Sequence, residues 1–351
     1  MKPTVRHRTA MLSLVAAASV YVFAVSVGLA VASQDRDEAE EQELLSLERI
    51  VVAALQGELV PSGEPFGWAN DFIKGAEQST FVPFTLSVDQ SKVSTSTVAM
   101  YIVVAPQDSP AAGSAADASD AAALAAVLSQ LAVVDAYHIQ LGVPTADGVY
   151  EIRRAFSAPR GDYDVYVALS ESDVPDGTEA KTMMLKRSVS LPDLWSGELA
   201  TSTVIVLDRI EQLSAPLPPD QALANPYTLG TMRLVPRLDR AYLDSEELSL
   251  VVLIYNVGTT ASGMPDVNVE YTFNTRGPTG NEVFNRTNPL VFNEQTLPPG
   301  FDVGAGHPIN GGQVVPLASF PEADYRLEIK VTDNTNGASL IRHVDFSVSA
   351  S

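Results

Sequence analysis

The chain has 351 residues, of which 46% are hydrophobic and none is cysteine, and its formal net charge is −21. The length and hydrophobic content predict packed cores in two domains with additional segments. The lack of cysteine excludes disulfides, thiolate metal sites and a cysteine nucleophile, and the strong negative charge excludes nucleic acid as a partner because it repels phosphate backbones.

Residues 1–32 have the pattern of an export signal. A basic start precedes an uncharged apolar stretch that ends at Ala30-Val31-Ala32, which fits the small-x-small rule for signal peptidase. We expect Sec export and cleavage after Ala32, which places the mature protein in the periplasm or outside the cell. The alternative is an uncleaved anchor in the inner membrane, because the apolar stretch reaches the roughly 20 residues that a spanning helix needs. Such an anchor would be the only membrane contact that we expect.

Residues 33–60 are predicted to form an acidic helical spacer. Apolar side chains recur every three or four positions, at Leu44, Leu47, Val51 and Leu55. This stripe would either pack on the first domain or form a coiled-coil stalk. A stalk needs three or four heptads, and the segment is shorter, so we favour packing.

From residue 61 onward the sequence predicts a mainly β protein. Short β-branched runs alternate with clusters of glycine, proline, asparagine and aspartate. Two continuous apolar runs, VAMYIVV at 98–104 and LSLVVLIY at 248–255, predict central strands that are buried on both faces. Each run precedes a copy of one short motif by about the same interval, so we interpret the two runs as equivalent strands.

The repeated motif is S-x-P-x-x-D-Y, at 157–163 and 319–325. Apolar residues alternate after each copy, which predicts a strand with one face in a core and one face in water. A tyrosine at the bend that opens such a strand resembles the tyrosine corner of Ig-like sandwiches, whose hydroxyl bonds to the backbone a few residues upstream. Tyr163 and Tyr325 are therefore predicted to be equivalent, buried structural corners.

A third match, L-x-R-x-V-x-[LF], predicts the final strand of each copy, at 185–191 and 340–346. Three matched strands in the same order predict a tandem duplication of one Ig-like β-sandwich domain. We expect each domain to close its own core, so that the second would fold alone. The predicted segments are a first domain at 61–213 with an Ala-rich insertion at 109–130, a Pro-rich linker at 214–226 and a second domain at 227–351.

The sequence offers little catalytic chemistry. No nucleotide, phosphate, serine-hydrolase or zinc motif occurs, and the histidines are isolated in the sequence. Asp162 and Asp164 share one strand face and would suit calcium, but the second copy has Arg326 where the first has Asp164, and an arginine does not bind calcium. We therefore predict no catalytic residue, no metal site and no cofactor.

Phe66, Trp68 and Phe72 in GEPFGWANDF (63–72) are the candidate binding residues. Aromatic rings in such a loop would stack on sugars or on a partner protein. The alternative, which we favour, is that they close the open end of the first sandwich.

Four runs carry a resemblance to a group of uncharacterised exported proteins of acidobacterial type. The likeness spans about 61–351 and implies export and β domains, and it implies nothing about catalysis. The runs are FVPFTLSVD (81–89), PRGDYDVYVALSE (159–171), LWSGELATSTVIVLDRIEQL (194–213) and LASFPEADYRLEIKVTD (317–333).

The function that we expect is an exported, non-enzymatic binding or structural module of the cell envelope, with a protein or a glycan as its partner. One alternative is a carbohydrate-active or peptide-hydrolysing enzyme, which would need two carboxyl groups about 5–9.5 Å apart. Another is a chaperone-like domain that adds a client strand to its own open sheet edge.

Overall fold

The computed structural model describes residues 38–57, 65–108, 128–175, 177–218, 221, 224–278 and 280–351. The predicted export signal at 1–32 and nearly all of the Ala-rich insertion lie outside the described residues, as do parts of the predicted spacer and linker. Across these described ranges, no helix combines the length and the hydropathy that a membrane crossing requires.

The described chain is mainly β, as predicted. Helix α1 covers Glu38–Leu55. Strands β1 to β22 follow in chain order as Gly67–Asn70, Ile73–Lys74, Ser79–Asp89, Thr97–Pro106, Val133–Gln140, Val149–Pro159, Gly161–Glu171, Thr182–Leu191, Ala200–Thr201, Ile205–Gln212, Thr228–Leu229, Met232–Pro236, Ala241–Leu243, Glu247–Val251, Leu253–Tyr255, Val267–Gly277, Gly280–Arg286, Leu290–Phe292, Ile309–Asn310, Gln313–Pro316, Ala323–Asp333 and Ser339–Ser349.

Residues 38–191, the first unit, contain two antiparallel sheets that share one core. In sheet I, β3 pairs with β1 and β2 on one side and with β6 on the other, and sheet II has the order β5-β4-β7-β8. Alternate residues of β3, such as Phe84 and Leu86, pack with alternate residues of β4 and β7, such as Met100 and Val167. This alternation follows from the two-residue period of a strand.

Residues 200–351, the second unit, also have two layers around one core. Sheet III has the order β11-β12-β10-β14-β20, and beside it β19-β15-β9 forms a short three-stranded sheet whose central strand follows β14 after one residue. Sheet IV has the order β13-β22-β21-β16-β17, with β18 also paired to β16. The core between them includes Leu248 and Leu250 from sheet III and Tyr271, Phe273 and Leu327 from sheet IV.

Four strand pairs recur in the same order in the two units. The pairs β3–β6, β4–β5, β4–β7 and β7–β8 of the first unit correspond to β14–β20, β16–β17, β16–β21 and β21–β22 of the second. The counterpart of VAMYIVV (β4) is therefore β16, and LSLVVLIY (β14 and β15) corresponds to β3 in the opposite layer. The predicted equivalence of the two apolar runs is wrong. Both runs are buried on two faces, but their second faces are covered by different elements. Helix α1 covers the second face of VAMYIVV, and the first unit covers the second face of LSLVVLIY.

Helix α1 packs on the outer face of sheet II, as the spacing of its apolar residues predicts. Leu47 and Val51 pack against Tyr101 and Tyr166, which point away from the first core. A polar contact adds to this packing, because Glu43 Oε2 accepts a hydrogen bond from Ser172 Oγ at 2.6 Å and lies 3.0 Å from His138 Nε2. The stripe therefore covers a sheet face of the same chain, as the packing alternative proposes.

Tyr163 and Tyr325 occupy the same place in the two units, at the start of β7 and of β21. Tyr163 is 6% exposed and Tyr325 is fully buried. The Tyr163 hydroxyl donates to the Pro159 carbonyl at 3.1 Å, and the Tyr325 hydroxyl donates to the Pro321 carbonyl at 2.7 Å. Each bond spans four residues, so the chain makes the same bend twice.

We expect Tyr163→Phe and Tyr325→Phe each to lower the free energy of unfolding by about 1 kcal/mol, the usual net value of one hydrogen bond. Phenylalanine keeps the packing of the ring and removes only the hydroxyl. Urea denaturation of the two variants measures the loss. Two neutral substitutions would show that the corner bonds contribute nothing.

The final strands are equivalent with a small displacement from the predicted match. Tyr163 pairs with Val189, whereas Tyr325 pairs with Phe346. Val189 therefore corresponds to Phe346, two residues beyond the Val344 that the sequence match assigns to it. A shift of two residues preserves the face on which each side chain lies, because the period of a strand is two.

The sheet boundary between the units falls earlier in the chain than the predicted domain boundary at residue 213. Ile205–Gln212 forms β10, which pairs with β12 on one side and β14 on the other. The Pro-rich segment 214–226 thus connects β10 to β11, two strands of sheet III that both pair with β12. The expectation that residues 227–351 close their own core does not agree with this pairing, because β10 lies in the middle of sheet III.

Candidate functional site

The three predicted binding aromatics contact the first core. Phe66 is 3% exposed within that core, and Trp68 and Phe72 pack against it. The Trp68 ring stacks on Phe84 with a centroid distance of 4.5 Å, and its Nε1 donates to Asn70 Oδ1 at 2.9 Å. These contacts are the ones that the packing alternative describes. A binding role for the three aromatics stays a prediction.

The same stretch of sequence continues into a contact between the two units. Thr203 Oγ1 of the second unit donates to Asp71 Oδ1, and the Tyr227 hydroxyl donates to Asp71 Oδ2, both at 2.8 Å. Two further bonds involve the neighbouring backbone: Thr203 N donates to the Phe72 carbonyl at 3.1 Å, and Phe72 N donates to Thr203 Oγ1 at 3.0 Å. Four hydrogen bonds thus join a turn of sheet I to sheet III.

Packing around the Asp71 carboxyl changes its proton affinity. Burial raises the pKa of Asp71, and the hydrogen bonds from Thr203 and Tyr227 and the positive charge of Arg240 oppose this rise without cancelling it. Burial and the negative charge of Asp71 together raise the pKa of Tyr227. The tyrosine therefore remains a hydroxyl donor, and the carboxyl favours its protonated form more than a free aspartate does.

An apolar cluster, which we call the seam cluster, lies beside this hydrogen-bonded group. Ile73 of the first unit contributes, and Phe81 packs against the edge of the cluster. Burial of one large aliphatic side chain such as Ile73 contributes about 1.5–3 kcal/mol, so this apolar contact adds to the hydrogen bonds between the units. From sheet III and the segments beside it come Leu194, Ala200, Ile205, Leu207, Tyr227, Leu234, Val251, Leu253 and Tyr255.

We call the whole contact between the units, which comprises the seam cluster and the hydrogen bonds around Asp71, the seam. A second polar group lies at its edge. Lys74 Nζ donates to Asn256 Oδ1 at 2.7 Å and lies 4.1 Å from the centroid of the Trp195 ring. Trp195 Nε1 donates to the Ser79 carbonyl at 3.0 Å, although 41% of the residue is exposed. Desolvation lowers the pKa of Lys74. These contacts therefore join sheet I to residues 192–199, which connect the two units, and to the second unit.

The loop end of the second unit carries an open depression of 510 Å³. Loop 256–266 after β15 and loop 293–308 after β18 form it. Asp333, a fully buried residue, holds the start of loop 256–266, because it accepts from Gly258 N at 2.7 Å and from Thr335 N at 2.9 Å. The lining residues are Thr260, Met264, Pro265, Asp266, Asn293, Glu294 and Gln295.

We expect Asp333→Ala to lower the free energy of unfolding by about 2 kcal/mol, because a buried donor that loses its acceptor costs about 1–3 kcal/mol and Gly258 N and Thr335 N both donate to Asp333. Asp324→Ala, an exposed position on the same strand, is the matched control. Urea denaturation compares the two variants. Equal losses in the two variants would mean that the hydrogen bonds of Asp333 to the loop backbone do not stabilise the protein.

The carboxylates of Asp162 and Asp164 both bind neighbouring side chains. Ser190 Oγ donates to Asp162 at 2.5 Å, and Lys186 Nζ lies 2.8 Å from Asp164. Burial acts to raise the pKa of Asp164, but Lys186, Ser188 and other donors outweigh it and lower the pKa. Within the described ranges, no group of three or more His, Cys, Asp or Glu side chains is placed to hold a metal ion.

Several edge strands carry residues that discourage the addition of another strand. Asp135 on β5, Arg154 on β6 and Arg187 on β8 fall in alternation with residues of the first core, so these charges point inward at sheet edges. The Arg154 guanidinium lies 4.9 Å from the Tyr137 ring centroid. Edge strand β20 ends in Pro316. Inward charges and edge prolines both oppose pairing between edges.

No protein-family model matches the chain, and no curated protein matches it. Among solved structures, trypsin-activated α2-macroglobulin from Escherichia coli has a TM-score of 0.22 at 10% identity, over 84% of this chain and 17% of that one. A mutant α2-macroglobulin from Salmonella has a TM-score of 0.19 at 11% identity, over 83% of this chain and 17% of that one. The chain thus covers 17% of the length of these proteins.

Proposed function

We propose that the protein is an exported, non-enzymatic binding or structural module of the cell envelope, built from two Ig-like domains that are held as one body. Its partner would be a protein or a glycan of the envelope. The basic and apolar pattern of residues 1–32 supports export, and the resemblance to exported proteins of acidobacterial type agrees with it.

The Ig-like assignment is supported by two features that the units share. Each has two layers in which four corresponding pairs of antiparallel strands recur in the same order, although the second unit adds a parallel pair between β13 and β22. Each also has a tyrosine at the start of the strand that precedes the last long strand, and its hydroxyl bonds to the backbone four residues upstream. A tyrosine corner at that strand is a hallmark of Ig-like sandwiches.

The seam is the observation that carries this proposal. A module that binds or supports a partner gains affinity when its surfaces are already in position, because less conformational entropy is lost on binding. The four hydrogen bonds around Asp71 and Thr203, together with the seam cluster, give the two units such a fixed arrangement. The depression at the loop end of the second unit is where we place the partner contact.

The two alternatives have less support. Inward charges and Pro316 at sheet edges oppose the strand-adding mechanism of a chaperone-like domain. For a hydrolase, the side chains of Asp71, Asp162 and Asp164 are already engaged by neighbouring donors, which favours a structural role for these carboxylates.

The test is to immobilise residues 33–351 and to add purified envelope proteins and cell-wall glycans. We expect saturable retention of a partner that leaves chemically unchanged, with weaker retention by a Met264→Ala/Glu294→Ala variant of the loop end. The matched control is Val283→Ala/Glu282→Ala on exposed strand β17. Turnover of a glycan or peptide that is abolished by one Asp or Glu substitution would contradict the proposal.

A further inference from the structure

We propose that the seam is a pH-dependent latch, which holds the two units together while Asp71 carries a proton and loosens when Asp71 is ionised. This device concerns the arrangement of the units and not the identity of the partner. Its failure would leave the proposed function standing.

The geometry provides for the protonated carboxyl. The Tyr227 hydroxyl lies 2.8 Å from Asp71 Oδ2 and 3.5 Å from the Pro83 carbonyl. A hydroxyl donates one hydrogen bond and accepts others. When Asp71 holds a proton, Oδ2 donates it to the tyrosine oxygen, and the tyrosine proton turns to Pro83. The protonated seam therefore keeps each of these groups hydrogen-bonded.

Few interactions stabilise the ionised form of the Asp71 carboxyl. Its hydroxyl donors are Thr203 and Tyr227, and Arg240 supplies a positive charge. Arg153 of sheet I also acts on Tyr227, but Glu151 forms an ion pair with that arginine. The apolar seam cluster occupies the adjacent space. A charge placed among apolar side chains without a direct ionic partner is costly.

The direction of the pH effect follows from the coupling between proton binding at Asp71 and closure of the seam. Burial raises the pKa of Asp71 above its ordinary value, so the closed seam binds the proton more strongly than the open seam does. The stabilisation is complete at low pH and is lost as the pH rises through the raised pKa. The latch is therefore tighter in acid and looser toward alkaline pH.

The lack of cysteine allows a direct test, because introduced thiols are the only labelling sites. Val143 of the first unit is 95% exposed and Val283 of the second is 57% exposed. Val143→Cys and Val283→Cys in the full chain would carry a fluorescent pair that reports the distance between the units. We expect a narrow distance distribution at acidic pH that broadens as the pH rises.

Two variants decide whether Asp71 causes this change. Asp71→Asn cannot ionise, so its distribution should not respond to pH, whereas the exposed control Asp162→Asn should respond as the parent does. Thr203→Val removes a donor that stabilises the ionised form, so it should move the midpoint to higher pH. A parent without a pH response, or an equal response in Asp71→Asn, would overturn the latch. If Asp71→Asn does not fold, an unchanged or lowered midpoint in Thr203→Val would overturn it.

Discussion

A fragment of residues 193–351 will fold cooperatively, whereas a fragment of residues 227–351 will not. The difference is Ile205–Gln212, the strand β10, which lies between β12 and β14 in sheet III. Without it, two strands lose their backbone partners, and the second core loses Val206. Unpaired backbone groups and an opened core together remove more than the few kcal/mol by which small domains are stable.

Circular dichroism and thermal unfolding of the two fragments measure this effect. The longer fragment should unfold in one transition, at a lower temperature than the full chain, because removal of the first unit exposes the seam cluster. Cooperative folding of 227–351 would show that β10 is dispensable and that the predicted boundary at residue 213 separates the cores.

Substitution of Leu47 by alanine will lower the free energy of unfolding by about 3 kcal/mol, within the usual range for a large buried aliphatic side chain. Leu47 is 1% exposed, and it packs with Val51 between α1 and the outer face of sheet II. The loss combines the transfer of the side chain with the cavity that remains beside Tyr101 and Tyr166.

Ile50 on the same helix is the matched control, because it is 37% exposed. Ile50→Ala should change the free energy of unfolding by less than about 0.5 kcal/mol, as most exposed substitutions do. Urea denaturation of the full chain measures both values. Equal effects at the two positions would mean that the apolar stripe of α1 is not packed on sheet II.

The features that the sequence predicts well depend on short-range patterns. The two tyrosine corners follow from a seven-residue motif, and each hydrogen bond spans four residues. The packing of α1 follows from the spacing of Leu44, Leu47 and Val51, because residues three and four apart share one helix face.

The features that the sequence does not predict depend on long-range pairing. VAMYIVV and LSLVVLIY have the same apolar character, but that pattern does not specify which layer a strand joins or what covers its second face. The prolines at 214–226 indicate a joint between domains, yet the segment joins strands β10 and β11 of one sheet. Composition shows where a chain leaves a strand, and it does not show which strand follows in space.

The seam has a signal in the sequence. GEPFGWANDF ends in Asp71 and Phe72, and its aromatic residues suggest binding or closure of the first sandwich but not a role for the aspartate. LSLVVLIY needs cover on both faces, and so does Ile205–Leu207, but each unit supplies only one opposing layer. Two such runs in neighbouring strands require a further surface, and the first unit provides it.

Calorimetry of residues 33–351 tests most directly the claim that the two units form one body. We predict a single unfolding transition at acidic pH, with a calorimetric enthalpy equal to the van't Hoff enthalpy, because the seam cluster and the Asp71 contacts couple the two cores. Two separate transitions, each insensitive to Asp71→Ala, would contradict the account.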